Sequence, residues 1–170
     1  MLTAGALLPW SGGAFRYVGE TAGAGDKAPL PVRTVEPVID PIGLFSAEEA
    51  GALRERVELA RAETGARIVV MTTRGLRGES FDRFTNRFHA GWERGTGSND
   101  AAIVFVSPAD RLVGVSTGHG LPVRPTEAQR QAIIDAMKPL ARAGDFKGAV
   151  LTGIKGVEDL LAKAGGPDVT

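Results

Sequence analysis

Asp100, Asp110 and Asp145 are the residues best placed in this chain to do chemistry. Local pattern puts each in a loop or at the start of an element, with glycines nearby that let backbone carbonyls come close to a ligand. Hard cations such as calcium or magnesium take carboxylate and carbonyl oxygens as ligands, so the three aspartates form the candidate metal-binding set. Each also has a structural use. Asp100 can set up the strand that follows it, Asp110 is a favoured turn residue, and Asp145 is a natural helix N-cap.

The other reactive types are sparse. His119 lies between Gly118 and Gly120, a setting that suits a surface contact better than catalysis. His89 falls about one residue off an apolar helical stripe and reads as a helix-surface residue. The two histidines lack the spacing of a zinc pair. The chain has no cysteine, which removes disulfides, thiolate nucleophiles and sulfur-ligated zinc together. Twenty basic residues balance twenty acidic ones with no block of like charge, so the electrostatic footprint of nucleic-acid binding is missing. No apolar run approaches the roughly 20 residues that cross a bilayer. A soluble domain is therefore expected.

The elements that must position these residues can be read from period and punctuation. At 170 residues, 43% hydrophobic and 24% charged, the chain suits a single core plus a tail. Residues 1–37 form a leader rich in Gly, Ala and Pro and without apolar period, expected to be flexible or extended. Its apolar opening before Trp10, followed by small residues near Ala22, carries half the features of a secretory signal. A signal remnant and a disordered leader both remain open. Prolines around Val38 and Ile39 leave at most an edge strand there.

Ser46 with Glu49 has capping-box spacing, and Leu53, Val57 and Ala60 continue a helix that Gly65 stops. A β-branched run to Thr72 reads as a central strand buried on both faces. Ser80 opens a second helix with Phe81, Phe84, Phe88 and Trp92 on a core-facing stripe, and Asp82, Arg83 and Arg87 toward water. Ala101–Ser107 and Leu112–Ser116 form a hairpin across Pro108–Arg111. A helix from Thr126 carries Ile133, Met137 and Leu140 inward, with Pro139 expected to kink or end it. A last helix begins near Asp145, and the domain should run over 38–165, leaving a tail at 166–170. Four apolar helical stripes and these strands predict a three-layer α/β/α sandwich with a mixed central sheet.

In order, the motifs resemble the TPM domain family. They are Asp40 with Gly43-Leu44, Thr64-Gly65-Ala66, Trp92 with Gly95, Asn99-Asp100, Asp110-Arg111, Gly118-His119-Gly120-Leu121 and Gly144-Asp145-Phe146. The chain departs from the family pattern at Ala101, usually glycine, and in the loop carrying Pro122 and Glu127. The resemblance implies a domain of the cell envelope, or a secreted one, with a cytoplasmic setting as the alternative. It also implies calcium or magnesium at the loop acids and a link to acid phosphatase activity. A phosphatase would draw on Asp110 with Arg111, His119 and Arg124, although no spacing fixes these together and no phosphate-loop pattern occurs. The preferred reading is an accessory, protein-binding module that takes a divalent cation. The alternative is a metal-dependent acid phosphatase.

Overall fold

The computed structural model describes residues 36–164 and, ahead of them, two short strands at 17–18 and 30–31. Those strands, β1 (Tyr17–Val18) and β2 (Leu30–Pro31), pair antiparallel as a separate ribbon. The rest of the expected leader, with its signal reading, and the tail at 166–170 lie outside the described residues.

Four strands make the main sheet, in the order β3 (Val38–Ile39), β4 (Arg67–Thr72), β5 (Ala101–Ser107) and β6 (Leu112–Thr117). β3 and β5 each run parallel to β4, while β6 returns antiparallel to β5, with Ser107 opposite Leu112 and Ala102 opposite Thr117. The prolines on either side of β3 hold it to two residues at the sheet edge, as expected. β4 and β5 are interior strands and read as unbroken apolar runs because both their faces are covered.

Helix α1 (Ala47–Thr64) begins with the full capping box of Ser46 and Glu49 and ends at Gly65, whose φ of 74° is the left-handed stop that glycine adopts without steric cost. Helix α2 (Phe81–Thr96) is capped by Ser80 and lays Phe84, Phe88 and Trp92 on Val69, Met71, Ile103 and Phe105. Helices α3 (Glu127–Arg142) and α4 (Phe146–Ala164) join α1 on the other face, over Ile68, Val70, Val104 and Val115. Two distinct cores, one on each side of a mixed sheet, make the three-layer α/β/α sandwich.

Two local expectations are corrected. α3 does not end at Pro139 but continues three residues past it to Arg142, with the Pro139 carbonyl accepting from the Ala143 N–H at 3.1 Å. Arg87 does not simply face water. Its guanidinium holds Glu79, with Nε 2.9 Å from Oε1, and lies 5.7 Å from the centre of the Phe84 ring.

The topology has one further consequence. The steps β3 to β4 and β4 to β5 move the same way across the sheet between parallel strands, yet α1 and α2 cover opposite faces. One of the two crossovers is therefore left-handed, the rare alternative to the right-handed connection.

Candidate functional site

Because β3, β4 and β5 are parallel, their carboxyl ends meet at one edge of the sheet, the edge where open α/β sheets form ligand crevices. Asp40 follows β3, Thr72 ends β4, and Ser107 ends β5, with Asp110 in the turn beyond. Asp40 is the most heavily engaged of these. Its Oδ1 accepts from the Leu44 N–H at 3.0 Å and the Thr72 hydroxyl at 2.6 Å, and its Oδ2 accepts from the Phe45 N–H at 2.9 Å. The carboxylate thus folds the entry of α1 back onto β4. Asp110 Oδ2 accepts from the Leu76 N–H at 2.7 Å and the Ser107 hydroxyl at 2.6 Å, tying the loop after β4 to the β5–β6 turn. Oδ1 of Asp110 has no hydrogen bond among the described residues. Arg77 and Arg111, one in each of these loops, both have φ of 52°, a conformation uncommon for a residue with a side chain. With Arg74 they leave this edge rimmed by exposed cations.

The three nominated aspartates do not gather in one place. Asp100 precedes β5 and Asp110 lies beyond its far end, so a seven-residue strand separates them by on the order of 20 Å. Asp145 lies toward the Asp110 end, since the following Phe146 shares a groove with Arg111. Each acid has a structural use. The Gly148 N–H donates to Asp145 Oδ1 at 2.8 Å, capping α4. Asp100 Oδ1 accepts from the Ser98 hydroxyl at 2.8 Å and the Trp92 indole at 3.3 Å, and Arg67 Nε lies 3.5 Å from Oδ2. Burial alone would raise the Asp100 pKa, but the Ser98 and Trp92 donors and the Arg67 charge outweigh it and hold the carboxyl below its ordinary value. Among the described residues no three acidic or histidine side chains converge as a metal cluster would.

The phosphatase candidates are divided in the same way. Asp110 and Arg111 lie at the carboxyl edge, whereas His119 follows the end of antiparallel β6 at the opposite edge. There the Gly-His-Gly motif has a packing reason. Gly118 and Gly120 press against Asn99, and a Cβ on Gly118 would fall 2.1 Å from the Asn99 Oδ1. The Gly118 N–H donates to the Ala101 carbonyl and the Gly120 N–H to the Asn99 carbonyl, both at 2.8 Å. His119 is exposed and its Nδ1 lies 2.9 Å from Asn99 Nδ2, which makes it the surface contact expected of it.

His89 is not a surface residue. It is 6% exposed, with Nε2 3.0 Å from the Ser116 hydroxyl of β6. Burial first, then the nearby His119, push its pKa down to about 4, and Asn99 opposes them only partly. The ring is therefore neutral at pH 7. His89 Nδ1 and Asn99 Oδ1 are both buried without a hydrogen-bond partner among the described residues.

Asp40, Thr72 and Ser107 are not among the site residues that the sequence alone nominates. The available signal was their position just after a β-branched run, the place where parallel strands deliver side chains to a crevice.

Comparison with known proteins places this geometry. The model of the TPM domain matches residues 38–160. The fold is similar to the solution structure of the N-terminal domain of a protein from P. gingivalis, with a TM-score of 0.65 and 23% identity over 76% of this chain and 83% of that one. It is also similar to the N-terminal domain of the cg2496 protein from Corynebacterium glutamicum, with a TM-score of 0.59 and 18% identity over 81% and 88% of the two chains. The BA42 protein from the psychrophilic bacterium Bizionia argentinensis gives 0.60 and 22% over 71% and 83%. Among curated proteins none matches.

Proposed function

This chain belongs to the TPM domain family, and on that premise we propose that it is an accessory, protein-binding module of the cell envelope. The observation that carries the reading is how its loop acids are used. At the carboxyl edge Asp40 accepts from three donors of its own chain and Asp110 from two, so these carboxylates brace loops. The Ser107 hydroxyl, which donates to Asp110, is fully buried and committed to that carboxylate. What the braced loops present outward is a firm rim of arginines, Arg74, Arg77 and Arg111, suited to recognition of an acidic partner.

A divalent cation, calcium or magnesium, belongs to this reading as a weakly held ligand. Asp110 Oδ1 is its anchor, completed by water and backbone carbonyls, with an affinity in the range of roughly 10⁻⁴–10⁻³ M seen for sites with few charged ligands. Turnover of an aryl phosphate decides between this module and the phosphatase alternative. The accessory reading expects the wild-type chain, supplied with calcium, magnesium or manganese at acid and neutral pH, to release no more phosphate than Asp110→Asn. Turnover that is lost in a folded Asp110→Asn variant would replace the module with a hydrolase.

A further inference from the structure

Beside the start of β6, where the β5–β6 turn meets α3 and α4, lies a cavity of about 650 Å³ that Val106 and Ser107 of β5 also line. Its walls are apolar where Phe81, Leu112, Val113, Ile134 and Phe146 meet, and charged where Arg111, Lys138 and Arg142 approach; among the described residues no acidic side chain lines it. The acids closest in sequence are committed elsewhere. Asp110 holds the Leu76 N–H and the Ser107 hydroxyl, Asp145 caps α4, and Asp135 accepts from Gln131 and Lys138.

β6 adds a backbone feature to this cavity. Among the described residues it pairs only with β5, and its register with β5 is unbroken from Ser107–Leu112 to Ala102–Thr117. The Gly118 N–H bonds the Ala101 carbonyl at the end of that ladder. In an antiparallel ladder the residues that bond across the pair alternate. The even-numbered residues of β6 therefore face β5, and the N–H and C=O of Val113 point to the free edge. Val113 is partly exposed and lines the cavity, whereas Val115 farther along is closed off at 1% exposure. β6 also carries no charge and no proline, the usual means of blunting an edge strand.

We infer that this groove is a docking site for an extended, acidic–apolar peptide segment of a partner protein. One residue of the segment would bridge to the Val113 backbone, an apolar side chain would enter between Ile134 and Phe146, and carboxylates would meet Arg111 and Arg142. An apolar anion without a peptide backbone could fill the cavity but would leave the N–H and C=O of Val113 unanswered. Short strand addition satisfies all three features together, the backbone giving affinity and the pocket and charges giving selection. The inference rests on the accessory-module reading and names the surface that reading would use.

The test is an amide NMR titration of the whole chain with the acetylated, amidated peptide Glu-Val-Glu-Leu-Asp. The same peptide N-methylated at its central residue serves as one control and dodecanoate as another. The expected result is saturable shifts at Leu112, Val113, Ile134 and Phe146 and slowed exchange of the Val113 amide. The N-methylated peptide and the Arg111→Glu/Arg142→Glu variant should each bind at least tenfold more weakly. Both arginines are exposed, so the variant should fold, and its amide spectrum verifies that. No shift with millimolar peptide overturns the inference, as do dodecanoate shifts that the peptide does not reproduce. Peptide shifts confined to other surfaces overturn the groove alone and leave the accessory reading standing, whereas phosphate turnover would remove that reading whatever the peptide does.

Discussion

His89 sits one residue beyond Phe88 on α2, and that single step separates the core stripe from its border. The sequence pattern put it outside because a period of 3.6 assigns a stripe but not its width. The deciding element is β6, where Gly114 lets the Phe81 ring come within 2.5 Å of where a Cβ would stand, so α2 lies low and brings His89 onto Ser116. No residue type near His89 signals that approach. The consequence can be measured. With a folded-state pKa of about 4 against an ordinary 6.5, the native chain binds fewer protons than the unfolded chain between those values. Stability tied to neutral His89 is fully present above pH 6.5 and falls as the pH drops toward 4, by up to about 3 kcal/mol. Urea unfolding at steps through that window should show this loss, and His89→Gln should flatten the profile. An unchanged slope in the variant would mean that other groups carry the acid sensitivity.

The elements were the most legible level. The capping box at Ser46, the glycine stop at Gly65 and the hairpin turn at Asp110 each join a residue type to a backbone need, and each element formed where its signal stood. Less legible was what ties one helix to another. Arg56 of α1 reaches Glu158 of α4, with Nη1 2.7 Å from Oε1 in a two-pronged pair, and Glu158 is 8% exposed. In the sequence both are ordinary charged positions on amphipathic helices, and nothing local reveals that 102 residues apart they meet under cover. Truncating one partner of such a pair strands the other in poor solvent. Because Arg56 keeps about a third of its side chain in water, the full cost of a buried pair is discounted. Arg56→Ala should lower unfolding stability by about 2 kcal/mol at neutral pH, with much of that loss recovered when Glu158→Gln is added. Additive losses in the double variant would show that the pair contributes packing alone.

For the whole molecule, the layer order follows from apolar stripes, but the hand of the crossovers does not, because periodicity carries no chirality. The relation between distant loops sits between these cases. Asp100 and Asp110 bracket one predicted strand, and seven residues of strand necessarily hold its flanks about 20 Å apart. The separation was present in the sequence once strand length was counted as distance. It also divides the cation reading. A cation anchored at Asp110 belongs to the carboxyl edge shared with Asp40, Thr72 and Ser107, while Asp100 is engaged by Ser98, Trp92 and Arg67 at the other edge. In calcium titrations followed by amide shifts, Asp110→Asn should abolish the response around Gly75, Leu76 and Arg111, and Asp100→Asn should leave it intact. Removing the Asp100 charge should instead loosen the Arg67–Trp92 corner, visible as faster amide exchange at Ala101 and Gly118. Calcium shifts centred on Ser98, Asp100 and Arg67 that vanish in Asp100→Asn would move the cation to the amino edge and leave the carboxyl-edge acids as braces alone.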